Sequence, residues 1–157
     1  DPALVEQQGQ ALRLVDLRGG VLVAAMMYSS CKTVCPRVTE DMKRIERELA
    51  PAGRDSIAFV LFSLDPGRDS PDVLRQFART HGLDTPRWRL LAASEDGVLD
   101  LAAVLGVKHK PEPDGEIAHS AMILVIDRDG VVRHRQMGVQ ADPRELIEAL
   151  AAARSRA

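Results

Sequence analysis

The sequence predicts an α/β fold: a central mixed sheet flanked by helices, completed by a C-terminal β-hairpin and helix. Three observations carry this. Residues 21–27 are a continuous apolar run and residues 57–64, interrupted at Ser63, a second buried-strand candidate, the pattern of strands buried on both faces. Stretches with apolar residues at helical spacing alternate with these runs, as a layered α/β fold requires. Near the end, Arg128-Asp129-Gly130 separates two apolar-rich runs, residues 122–127 and 131–137. Asp-Gly in that setting is a hairpin signal and makes the sheet mixed.

The elements follow in order. The first twenty residues hold Leu12, Leu14, Val15 and Leu17 before Gly19-Gly20, and read as one or two short strands and a turn. Beyond the strand 21–27, residues 36–49 put Val38, Met42, Ile45 and Leu49 at helical spacing. Pro36 is tolerated in a first turn, and Pro51 and Gly53 end the helix. After the strand 57–64, Ser70-Pro71-Asp72 supplies an N-cap with proline at the first helical position, and Gly82 is the stop. Residues 88–91 form a third strand; Ser94 then caps a helix that ends at Gly106. Residues 108–118 are polar and contain Pro111, Pro113 and Gly115, so a poorly packed, mobile loop is expected there. Asp142-Pro143-Arg144-Glu145 opens the last helix with a capping box. The chain reads as one domain, 1–157, without repeats or low-complexity segments.

Composition narrows the function. With 45% hydrophobic and 28% charged residues the chain is a folded globular protein. A net charge of -2, with Lys and Arg spread along the chain, and only 3% aromatics argue against a nucleic-acid partner. No apolar run is long enough to span a bilayer. The chain starts at Asp1 without an initiator Met, which suits a product that has lost a signal peptide or membrane anchor.

The chemistry concentrates in Tyr28-Ser29-Ser30-Cys31-Lys32-Thr33-Val34-Cys35-Pro36, which holds the only two cysteines. They sit where a strand hands over to a helix, at a spacing that puts both sulfurs near the helix N-terminus. Such a pair can be a disulfide, a redox-active dithiol or part of a soft-metal site, and helix amides there should lower the pKa of at least one thiol. Two inert buried cysteines are the bland alternative. His119 precedes the strand 122–127; if that strand runs antiparallel to its neighbour, His119 lies at the edge where the cysteines emerge. Two thiolates and an imidazole suit copper or zinc, and the missing fourth ligand favours copper, Cu(I) or Cu(II). His109 competes with His119, whereas His81 and His134 read as surface residues. Met26-Met27 reads as core rather than ligand. Asp65, after the second buried strand, is a candidate for hydrogen bonding near the cysteine loop. Asp127-Arg128-Asp129-Gly130 lacks the later ligands of a calcium loop and is a turn.

Together with Ser63-Leu64-Asp65-Pro66-Gly67-Arg68-Asp69-Ser70-Pro71, Trp88 and His119-Ser120-Ala121, the cysteine motif resembles the Sco/SenC proteins over nearly the whole chain. The resemblance implies a thioredoxin-like fold and copper bound by Cys31, Cys35 and His119. It further implies a metallochaperone role in assembling the binuclear copper centre of cytochrome c oxidase. The expected partners are the oxidase subunit that bears this copper, or a similar copper enzyme, and a copper donor protein. The expected setting is the bacterial periplasm, with an inner-membrane anchor outside this chain, and the expected state a monomer. One departure stands beside the site: the family usually has Asp before its histidine, and here the residue is Ala118.

The alternative function is a periplasmic thiol-disulfide oxidoreductase that reduces the client's copper-site cysteines. Thioredoxin-like reductases use Cys-x-x-Cys, whereas the spacer here is longer, and His119-Ser120-Ala121 occupies the place of their substrate-clamping proline. A thiol peroxidase would want a Thr three residues before its nucleophile, where this chain has Tyr28. With residues 108–118 mobile, His119 is expected to stay away from the sulfurs until copper draws the loop in.

Overall fold

The computed structural model describes residues 1–32, 34–49 and 56–156. Seven strands form one sheet: β1 (Ala3–Glu6), β2 (Ala11–Arg13), β3 (Val21–Met27), β4 (Ile57–Ser63), β5 (Trp88–Ala93), β8 (Met122–Ile126) and β9 (Val132–Met137), in the order β2-β1-β5-β4-β3-β8-β9. β3, β4 and β5 are mutually parallel; β1 runs antiparallel to β5, and β8 antiparallel to β3. The four strands expected in one central sheet are all in it. Helices α1 (Val34–Glu48), α2 (Pro71–Thr80), α3 (Glu95–Leu105) and α4 (Arg144–Ser155) flank it. Among the described residues, no helix is long and apolar enough to cross a membrane.

Burial explains the sheet. Every residue of β3 is buried, because the register places Leu22, Ala24 and Met26 on one face and Val21, Val23, Ala25 and Met27 on the other, and both faces are covered. Met26 and Met27 belong to this core, as their sequence context suggested. Trp88 stacks on Phe59 at a centroid distance of 4.9 Å, and its indole N–H reaches Glu46 of α1 at 3.1 Å. The α1 stripe Val38, Met42 and Ile45 is buried on the sheet as its spacing required.

Helix ends follow their sequence signals in two cases. Ser70 and Ser94 accept hydrogen bonds from the backbone N–H of Val73 and Gly97, and Gly106 closes α3 in the left-handed conformation, φ 76°. Pro51 and Gly53, read as the end of α1, lie outside the described residues. The capping box at the last helix does not form: α4 has Pro143 at its cap position with no side-chain bond, and Asp142 accepts from the Arg144 amide instead. Proline presents no N–H for a reciprocal bond. At the hairpin, the buried Asp127 carboxylate accepts from the Asp129 and Val131 amides and pairs with Arg133, confirming a turn rather than an ion loop. The N-terminal segment adds a short 3-10 helix, Leu14–Leu17, after its two strands.

The segment expected to be a mobile loop is not irregular. β6 (His109–Pro111) and β7 (Ile117–His119) pair as a second, two-stranded sheet, with His109 opposite His119 and Pro111 opposite Ile117. Pro111 costs this ribbon little, since an edge position needs no ladder donor. Sequence polarity hid the hairpin because its stabilising contacts lie elsewhere in the chain.

Gly97 allows α3 to sit close against the end of β5: a Cβ added there would lie 2.8 Å from the Cβ of Ala93. Alanine is the better helix former by about 1 kcal/mol, but overpacking of this kind typically costs about 1–3 kcal/mol. Gly97→Ala should therefore lower the Tm of the metal-free protein. An unchanged or raised Tm would contradict the close approach.

Candidate metal centre

β3 ends at Met27, and the chain then turns through Ser29 and Ser30 to Cys31, with Cys35 the second residue of α1. β8 begins at the same sheet edge because it runs antiparallel to β3, so the residues leading into it arrive beside the cysteines. Sγ of Cys31, Sγ of Cys35 and a ring nitrogen of His119 lie within 4.8 Å of one another. His119 Nε2 stands 3.1 Å from Cys35 Sγ. His119 Nδ1 faces the Ser120 carbonyl at 3.0 Å; donation to that oxygen puts the proton on Nδ1 and leaves the Nε2 lone pair toward the sulfurs. Burial holds the imidazole pKa below its ordinary value despite the Ser120 bond, which favours the neutral, ligating form.

Both cysteines are thiols rather than a disulfide, and both are buried. They differ in environment. The Cys35 amide at the start of α1 donates to Cys31 Sγ at 3.5 Å, so Cys31 receives the helix terminus. Cys35 is not the thiol whose pKa is lowered: burial pushes its pKa up, and a backbone hydrogen bond from Tyr28 offsets this only in part. Metal coordination deprotonates such a thiol outright, so Cys35 is suited to holding a cation rather than to free attack.

The cysteine loop is braced from behind by Asp69, not Asp65. Asp69 is 1% exposed and accepts from the Ser29 amide at 3.1 Å, the Ser29 hydroxyl and the Ser63 hydroxyl at 2.6 Å. Asp65 instead pairs with Arg68, whose guanidinium donates to the Gly115 carbonyl at 2.6 Å in the β6–β7 turn. The segment singled out by sequence thus supports both walls of the centre, Asp69 making the bonds to the cysteine loop that were expected of Asp65. His109 faces its cross-strand partner but stays outside the three-ligand cluster, His81 packs on Phe77, and His134 is in β9.

Sequence reasoning gave Tyr28 no role. Its hydroxyl donates to Glu116 at 2.6 Å and accepts from the Ile117 amide at 3.1 Å, while its ring meets the His119 ring edge-on at 5.9 Å. Burial, then the Glu116 bond, push the phenol pKa up, so it remains a donor. These contacts hold β7 against the cysteine loop. In this structure His119 lies at the sulfurs rather than at the distance expected before copper binding. A cleft of about 430 Å³ opens over the centre, lined by Tyr28, Cys31, Lys32, Glu112, Glu116 and His119 among others.

The donor set is two sulfurs and one imidazole, and among the described residues no further His, Cys, Asp or Glu joins it. Structural zinc would want four ligands, so the set fits copper better. In the reduced, metal-free protein, iodoacetamide at neutral pH should modify Cys31 at least about tenfold faster than Cys35, following access and thiolate character. Equal rates, measured by peptide mass spectrometry, would contradict the asymmetry.

The chain can now be set beside known proteins. A family model described as SCO1/SenC matches residues 3–155. The SCO1 protein homolog of Bacillus subtilis (strain 168) is 28% identical over 140 residues, 87% of this chain and 72% of that protein. A SCO1/SenC family lipoprotein from Bacillus anthracis str. Ames superposes with a TM-score of 0.88 at 27% identity, covering 98% of this chain and 92% of that one. Bradyrhizobium japonicum ScoI, solved with copper bound, shares the fold at a TM-score of 0.79 and 23% identity, with 97% and 96% covered. The mixed sheet, the flanking helices and the match over 3–155 lead to one conclusion: the chain belongs to the SCO1/SenC family, with its thioredoxin-like fold.

Proposed function

We propose that this chain is a copper carrier that binds one copper ion through Cys31, Cys35 and His119. The observation that supports it most is the approach of these three donors from two distant segments to within 4.8 Å of one another. The copper-bound Bradyrhizobium relative supports the choice of metal. Two thiolates can hold Cu(I) alone, and the imidazole completes a site for Cu(II). The carrier receives copper from a donor protein and delivers it to the copper-bearing subunit of cytochrome c oxidase or to a similar copper enzyme. This client is the one the family resemblance implies. It works as a monomer on the periplasmic face of the inner membrane, held there by an anchor outside this chain; the lipoprotein relative supports an extracytoplasmic, anchored setting.

The reductase alternative needs an accessible, readily ionised attacking thiol. Of the two cysteines only Cys31 meets that need, since Cys35 is fully buried with its pKa pushed up; what favours a metal is the imidazole nitrogen held 3.1 Å from Cys35 Sγ with its lone pair toward the sulfurs. The two roles compete for the same sulfurs, so formation of a disulfide would block copper binding.

Anaerobic titration of the reduced protein should show one copper bound per chain. Cys31→Ala or Cys35→Ala should abolish tight binding of both oxidation states. His119→Ala should weaken Cu(II) far more than Cu(I). Because the Cys35 thiol must lose its proton to ligate, apparent affinity should rise with pH through the neutral range, with proton release on binding. Full affinity in either cysteine variant, or pH-independent binding, would overturn the reading.

A further inference from the structure

We propose that Tyr28 and Glu116 form a latch that holds the His119 arm against the two sulfurs and thereby sets how strongly the centre retains Cu(II) relative to Cu(I). The inference rests on the copper reading above and adds a positioning device to it.

The three ligands are not anchored alike. Cys35 lies within α1 and Cys31 just before it, against a loop fastened by the buried Asp69. His119 lies at the end of β7, which has a partner strand on one side only, β6. A two-stranded ribbon is marginal without outside support. Arg68 supports its turn through the Gly115 carbonyl, and β7 itself is supported by a buried side chain rooted on the sulfur side. Tyr28 directly follows β3, is 2% exposed, and its carbonyl accepts from the Cys31 amide at 3.2 Å. Its hydroxyl reaches across to β7: it donates to the Glu116 carboxylate at 2.6 Å and accepts from the Ile117 N–H at 3.1 Å. Its ring then meets the His119 imidazole edge-on. Three of the four residues from 116 to 119 are therefore fixed by Tyr28, and a hydrogen bond to an ionised carboxylate is the stronger kind.

Loss of the hydroxyl would unfasten the histidine arm while both sulfurs kept their anchors. Cu(I) is satisfied by two thiolates, whereas Cu(II) needs the borderline imidazole donor. The latch thus acts on one oxidation state more than the other. Glu116, which also lines the cleft, supplies an acid next to the histidine arm in a chain whose residue 118 is alanine.

The test uses Tyr28→Phe, which keeps the ring and its packing, and Glu116→Ala at an exposed position. Both are compared with wild type by chelator competition for Cu(I) and Cu(II), Cu(II) electron paramagnetic resonance, and hydrogen exchange at the Ile117 amide of the metal-free protein. Tyr28→Phe should weaken Cu(II) binding at least about tenfold, as loss of a hydrogen bond to a charged group predicts, and leave Cu(I) within about twofold. It should also alter the Cu(II) spectrum and speed Ile117 exchange. Glu116→Ala should shift Cu(II) in the same direction, and the double variant should be no worse than Tyr28→Phe alone, because the pair acts as a unit. An unchanged Cu(II) affinity and spectrum in Tyr28→Phe, or equal losses of Cu(I) and Cu(II), would overturn the proposal. If wild type takes up no copper, the copper reading itself falls. Unchanged Ile117 exchange in Tyr28→Phe overturns the latch whatever wild type binds.

Discussion

The antiparallel pairing of β8 with β3 is the constraint on which the centre depends. Leu22, Val23 and Ala24 of β3 face Ile126, Val125 and Leu124 of β8, so the segment entering β8 meets the segment leaving β3 at one edge. A parallel strand in that position would bring its incoming loop to the far end of the sheet. The sulfurs and the imidazole, 84 residues apart along the chain between Cys35 and His119, become neighbours through this one choice of direction. The buried apolar runs that set the strands therefore also set the ligand geometry.

Around that edge, anchoring is divided between rigid and lightly held parts. The sulfurs sit on a helix and a loop backed by Asp69, and the imidazole sits on a two-stranded ribbon held by Tyr28 and by Arg68 at its turn. A carrier must hold its cargo and also give it up. On the proposed carrier reading, a site in which one ligand can leave while two remain would provide an intermediate coordination for handing copper on. Burial of Cys35 works in the same direction, because a thiol that resists ionisation without metal is less open to attack.

Much of this was legible in the sequence. The hydrophobic runs gave the central strands, the alternation gave the layers, and donor chemistry with the sheet edge pointed to Cys31, Cys35 and a histidine, His119 or its competitor His109, with the set Cys31, Cys35 and His119 implied by the Sco/SenC resemblance. What was missed depends on contacts between distant residues. The hairpin of β6 and β7 reads as a loop because its apolar content is low and it contains prolines; its stability comes from Tyr28 and Arg68, 89 residues from Ile117 and 47 from Gly115 respectively. Of the two acids in the Asp-Pro-Gly-Arg-Asp segment, only the folded backbone reveals that Asp69 turns inward to Ser29 while Asp65 turns to Arg68. The helix-terminus argument for a low pKa in at least one thiol does not extend to Cys35, where desolvation dominates.

X-ray absorption at the copper edge of the loaded wild-type protein tests the central claim most directly, since it reports which atoms surround the metal without relying on any variant. Two sulfur donors together with an imidazole nitrogen on Cu(II) are the predicted result. A shell of oxygen and nitrogen only, or one without the outer scattering of an imidazole ring, would contradict a centre built from Cys31, Cys35 and His119.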